Sequence, residues 1–175
     1  AGIGLLYSAT GLLNIGSLAQ AAPAEAAAVG RLVAPALNPA FAFLVGALLL
    51  LPLLLETKLF PFNSWVAGAY SGALPSMGAL LSGVMALAAG GVLARLLLTL
   101  MGDASVFGAA ASRLRLLVVV LGSATIVVGE LAAFREEQLK RMVGFSSIAQ
   151  MGMVAAGIAL ASPDTLRGAL LLLVN

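Results

Sequence analysis

Residues 50–73, LLPLLLETKLFPFNSWVAGAYSGA, set two prolines and two opposite charges into an otherwise hydrocarbon-rich stretch. Pro52 deletes a backbone hydrogen bond and crowds the carbonyl four residues back, near Leu48. Pro61 then ends the helix or divides it into two halves. Glu56 lies four residues after Pro52 and shares its helix face, whereas Lys58 points elsewhere, so the two charges are not a simple intrahelical pair. Such charges are costly against lipid. They are tolerated where a helix is interrupted and buried among other helices or beside water. An aromatic patch of Phe60, Phe62, Trp65 and Tyr70 surrounds the break, and Trp65 and Tyr70 suit a membrane–water interface.

The rest of the chain offers little polar surface to face water. Of its 175 residues, 62% are hydrophobic and 9% charged, against about 25% charged in a soluble domain. The mean hydropathy is +1.12. A spanning helix takes roughly 20 apolar residues. The predicted fold is therefore an all-α polytopic membrane protein, a single domain over residues 1–175. It is expected to hold about four complete transmembrane helices plus partial helices at both ends, with one helix broken around Pro52 and Pro61. The half-spans at the two ends suggest an internal piece of a larger polytopic protein. The net charge of +2 is spread out, with no basic run for nucleic acid. With no Cys and no His, no metal site and no resident cofactor are expected.

In chain order, residues 1–11 read as the tail of a span. Glu25 and Arg31 read as solvated interfacial charges in a weakly hydrophobic segment. The first complete span covers residues 40–60, and residues 62–75 read as an uncharged connector. A second span opens at Pro75 and runs to about Leu100, its middle rich in small residues that let helix backbones approach. A polar loop containing Gly102 and Asp103 leads to a third span over about Leu116–Phe134. There Gly122 and Gly129, seven apart, mark one face as a helix–helix seam. Glu130 is a second intramembrane acid, either for proton handling or paired with Arg135 at the interface. Residues 135–141 form a tight charged loop, and Lys140 and Arg141 anchor the start of span four. Ser146, Ser147 and Gln150 lie within that span, where polar groups bond across helices or line water. Ser162-Pro163-Asp164 is a helix-start signal for a final, partial span.

Two segments resemble a known family. LETKLFPFNSWVAGAYSGALPSMGALLSGV looks like the broken-helix segment of the antiporter-like membrane subunits of respiratory complex I, of Mrp-type cation/proton antiporters and of membrane-bound energy-converting hydrogenases. GELAAFREEQLKRMVGFSSIAQMGMV is similar to the family's most recognisable stretch, matching it at Gly129, Leu131, Ala132, Ala133, Leu139, Lys140, Arg141, Ser146, Ser147 and Ile148. LLYSATGLLNIGSLA looks like the loop after the family's sixth span. The resemblance implies a region from the end of helix six to the start of helix eleven of a fourteen-helix subunit. The family's pumping lysine stands seven residues before the histidine of its Pro-Phe-His-x-Trp motif. Here Asn63 takes the histidine's place, Glu56 the lysine's, and Lys58 comes two positions later. Where the family often carries a further lysine in the next span, this chain has Leu87.

The reading from residues and resemblance together is proton (or sodium) translocation by a membrane-arm subunit of a complex I-like oxidoreductase or related complex. The site residues are Glu56, Lys58 and Glu130, since ionisable groups out of water can exchange protons near neutrality. Asn63, Ser146, Ser147 and Lys140 form a supporting polar path, and Pro52 and Pro61 form the break. The expected partners are the lipid bilayer and other membrane subunits of a multi-subunit complex, in a bacterial or archaeal cytoplasmic membrane, with residues 135–141 toward the cytoplasm. The alternatives are a non-pumping scaffold subunit and an independent transporter of a small solute.

Overall fold

The computed structural model describes residues 3–5, 39–99, 107 and 109–174. Most of the expected first half-span, Glu25, Arg31 and the Gly102-Asp103 loop lie outside the described residues. Those described are helical apart from short connections. The helices are α1 (Pro39–Glu56), α2 (Ser64–Gly72), α3 (Pro75–Leu80), a π-helical turn at Leu81–Met85, α4 (Ala86–Thr99), α5 (Ala109–Arg135), α6 (Leu139–Leu160) and α7 (Pro163–Val174). Three of them begin at a proline, whose fixed φ suits a first turn and whose missing N–H costs nothing there.

Among the described residues, three helical stretches are long and apolar enough to cross a membrane, Ser76–Leu98, Ala110–Arg135 and Leu139–Leu160. The first of these runs through α3, the π turn and α4. α1, the expected first span, has 18 residues and about 27 Å of axial rise, a little short of the roughly 30 Å hydrocarbon core. Pro52 sits inside α1 without ending it. The chain loses its helix between Thr57 and Asn63 and resumes it in α2, so a short helix stands where the sequence predicts a connector.

The described residues form two units. The first holds the described parts of Ala1–Pro52 and Arg95–Leu117. Val45, Leu50, Leu97 and Leu114 are its largest fully buried side chains among the described residues, and Leu114 lies directly over Gly46.

The second unit holds Leu53–Ala94 and the described part of Val118–Asn175. α6 is its centre, with α2 and α7 packed on it. α2 buries Val66, Ala67 and Tyr70, the i, i+1, i+4 face of a nine-residue helix. Val66 and Tyr70 join Ile148 and Phe145 of α6 in one apolar cluster. The predicted glycine seam is present. A Cβ on Gly122 would lie 2.9 Å from the Gly152 carbonyl, and one on Gly129 would lie 2.9 Å from the Ala149 amide nitrogen. These distances leave room for hydrogen only, so α5 and α6 meet backbone to backbone. The small-residue run of the second span behaves differently: Gly78, Gly83 and Gly91 face open space, and Gly90 lies under Leu173.

Ser162 caps α7, its hydroxyl accepting the Thr165 N–H at 3.3 Å and exchanging a 2.8 Å bond with the Thr165 hydroxyl. Ser162→Ala should cost about 1 kcal/mol, read as a lower unfolding temperature with α6 unaffected by local hydrogen exchange.

Candidate functional site

The site begins where α1 stops. The Leu59 N–H reaches back to the Leu54 carbonyl at 3.0 Å, and the Lys58 N–H to the Leu55 carbonyl at 3.2 Å. This pair of closures, six-to-one and five-to-two, is a Schellman motif, and Leu54 and Leu59, at the two positions whose apolar side chains usually meet in it, are both buried. The motif requires its C′ residue in the left-handed region, where glycine normally stands. Here that residue is Lys58, at φ 60°, which costs a residue with a Cβ roughly 1–2 kcal/mol. Thr57 adds a second bond to the Leu53 carbonyl, donating from its hydroxyl at 2.6 Å as well as from its amide at 2.8 Å.

The same turn directs Lys58 inward. Its residue exposure is 3%. Nζ donates to the Tyr70 hydroxyl at 3.0 Å and, more weakly, to the Ser147 hydroxyl at 3.5 Å. It also lies 5.2 Å from the Tyr70 ring centroid, within cation–π range. No carboxylate among the described residues pairs with it. An amine held by two hydroxyls and a ring face is poorly compensated as a fixed charge.

Ser147 opens onto a cavity of about 680 Å³. Its polar lining is Ser82 from the π turn together with Ser146, Ser147 and Gln150 of α6; Leu87 and Val154 are among its apolar walls. Ser147 thus lines the cavity and also bonds the buried amine. π turns are rare and concentrate at functional sites; this one forms part of the cavity wall.

Among the described residues, Ser147 is the one predicted site residue that bonds the Lys58 amine. Glu56 is exposed at the last position of α1. Glu130 is exposed on α5, on a stripe with Val127, Leu131 and Phe134, all outward-facing. Arg135 is exposed, and the ion pair of that region joins Arg141 to Glu136 at 3.1 Å instead. Lys140 is exposed, while Asn63 is buried just before α2. Tyr70, read from sequence with Trp65 as an interfacial aromatic, turns inward to Lys58, whereas Trp65 stays exposed. Tyr70, which bonds Lys58, and Thr125, whose hydroxyl takes the Phe60 N–H at 2.8 Å, are the partners that the sequence reading missed. The signal for Tyr70 was its i+4 spacing from Val66, which puts both on one apolar face of a short helix. Among the described residues no cluster of three or more acidic side chains could hold a metal ion.

The family model described as NADH:quinone oxidoreductase/Mrp antiporter, TM, matches residues 1–175. NAD(P)H-quinone oxidoreductase chain 4 1 of Synechococcus sp. (strain JA-3-3Ab) is 33% identical over 175 residues, covering 98% of this chain and 32% of the relative. NADH-quinone oxidoreductase subunit N of Parvibaculum lavamentivorans is 28% identical, with 99% of this chain and 32% of the relative covered. Among solved structures, the archaeal membrane-bound sulfane sulfur reductase superposes with a TM-score of 0.80 at 29% identity, over 99% of this chain and 32% of that one. The Mrp complex from Dietzia sp. DQ12-45-1b superposes with a TM-score of 0.76 at 28% identity, over 99% and 28%. The chain spans about a third of the length of the curated relatives it matches.

Proposed function

This chain belongs to the NADH:quinone oxidoreductase/Mrp antiporter transmembrane family, and on that premise we propose that the full-length protein moves protons across a membrane through Lys58. It is an integral membrane protein. The observation that carries the reading is a lysine buried at a helix break, held by Tyr70 and Ser147, in a backbone position that glycine would fill at lower cost. Retaining lysine there makes sense if the amine is needed. A proton enters from the cavity side by way of Ser147, is carried by the Lys58 amine and leaves toward the Tyr70 side. Sodium would need a cage of oxygen ligands, which a lysine cation repels, so the proton is the favoured cargo.

In this reading the chain corresponds to helices six to eleven of a fourteen-helix subunit. That subunit works in the membrane arm of a redox-driven or antiporter-type complex, among other membrane subunits and lipid. The membrane is the cytoplasmic membrane of a bacterium or archaeon, with residues 135–141 on its inner side. Glu56 and Glu130 serve the two ends of the path, handing protons to groups contributed from beyond this chain; Asn63, Ser146 and Lys140 support it. Glu56→Gln in the assembled complex should slow proton movement about tenfold, a barrier increase of about 1.4 kcal/mol, with assembly intact. Unchanged pumping in sealed vesicles would remove Glu56 from the path.

Asn63 and Leu87, at positions where the resemblance implies histidine and lysine, favour one alternative, a scaffold subunit that no longer pumps. Substitution of Lys58 separates the two.

A further inference from the structure

We infer that Thr125 is a positioning residue for Lys58, holding the turn that aims the amine. This rests on the role proposed for Lys58 and adds to it a residue on a different helix.

The backbone of the break accounts for most of its own N–H groups. Thr57, Lys58, Leu59 and Phe62 donate to carbonyls within five residues, and Pro61 has no N–H to place. Phe60 is different. Its N–H is taken by the Thr125 hydroxyl of α5 at 2.8 Å, across 65 residues of sequence. Thr125 in turn donates to the Leu121 carbonyl at 2.6 Å. Its hydroxyl therefore has one lone-pair partner and one proton acceptor, and its rotation is fixed. The residue is fully buried at 0% exposure. The bond is part-buried, with its Thr125 end fully enclosed, and it ties the turn to the place where that hydroxyl stands.

Thr125 is itself held firmly. It lies between Gly122 and Gly129 on the face of α5 that meets α6 backbone to backbone. A Cβ on Gly152 of α6 would lie 3.0 Å from the Thr125 Cβ. Phe60 is two residues from Lys58 along a tight turn, and Ser147, on the same α6, holds the Lys58 amine. Thr125 thus fixes the backbone of the turn to α5 at one end of a short span, and Ser147 fixes the side chain to α6 at the other. Misplacing a reacting group by about 1 Å can cost on the order of a hundredfold in rate.

The test uses Thr125→Val, which keeps the shape and deletes the hydroxyl, and Thr125→Ser, which keeps the hydroxyl and deletes the methyl. Both are made in the full-length protein within its complex and read in sealed vesicles. Thr125→Val should slow proton movement per assembled complex by roughly tenfold to a hundredfold, and peptides covering residues 57–63 should exchange amide hydrogen faster. Thr125→Ser should restore both to within about twofold. If Thr125→Val does not assemble, Thr125→Ser decides alone: normal pumping and normal exchange sustain the assignment. Serine as impaired as valine, or valine with unchanged pumping and exchange, overturns it. A complex that pumps normally without Lys58 sinks the proposed function instead, whatever Thr125 does to exchange in the turn.

Discussion

Lys58→Gly, made in the full-length protein within its complex, is expected to assemble at least as well as the parent and to move protons about a hundredfold more slowly or worse, the scale of a lost general acid–base group. The two halves of that expectation have separate causes. The C′ position of the Schellman motif holds φ 60°, which glycine adopts without a Cβ penalty. Removing a buried amine that has no carboxylate partner among the described residues also lifts a desolvation burden. Against these gains stand the lost contacts with Tyr70 and Ser147, and the balance in stability is close to neutral. Function has no such compensation, because glycine cannot carry a proton. The measurement is proton uptake into sealed vesicles normalised to assembled complex. Normal turnover with glycine at position 58 would leave the chain as scaffold, with its transport role to be sought elsewhere in the subunit.

Gly152→Val should have the largest effect on the fold. The first added carbon alone would stand 2.8 Å from the Gly122 carbonyl oxygen and 3.1 Å from the Ile126 amide nitrogen. Neither is the end of a flexible side chain, so the helices must separate or shift. Overpacking of this kind costs about 1–3 kcal/mol and can exceed it when backbone must move. Valine adds two methyls beyond that carbon, and the protein should fall well below parental level in the membrane. Gly91→Ala is the control: open space surrounds Gly91, and alanine in a helix interior is favoured over glycine by about 1 kcal/mol. Parental levels for Gly152→Val would mean that α5 and α6 are not in backbone contact.

Much of this architecture was legible from residues alone, for reasons that can be named. Pro61 and the charges before it announce the break because proline and ionisable groups carry strong local penalties. Gly122 and Gly129 announce the seam because their spacing puts two missing side chains on one face. Ser162-Pro163-Asp164 announces α7 because capping is a property of consecutive residues. The centre of the site was less legible. Lys58 lies off the helix face of Glu56 by simple helical counting. Its inward aim comes from a left-handed turn that a lysine gives no reason to expect. Tyr70 looked interfacial because an aromatic with a polar tip fits both a headgroup layer and a buried amine. α2 stands where a connector is expected because SWVAGAYSG is uncharged and its aromatics, Trp65 and Tyr70, suit a membrane–water interface. Thr125 met the break only through folding, 65 residues away.

The π turn at Leu81–Met85 has its own consequence. A π turn is one surplus residue absorbed without breaking the helix, so everything after it is rotated by about 100° relative to an unbroken α-helix. A helical wheel drawn from Pro75 therefore goes out of phase past Met85, like a screw thread cut twice from different starts. Leu87 and the residues beyond it face where they do because of that offset, and an alignment that counts positions alone cannot reveal it.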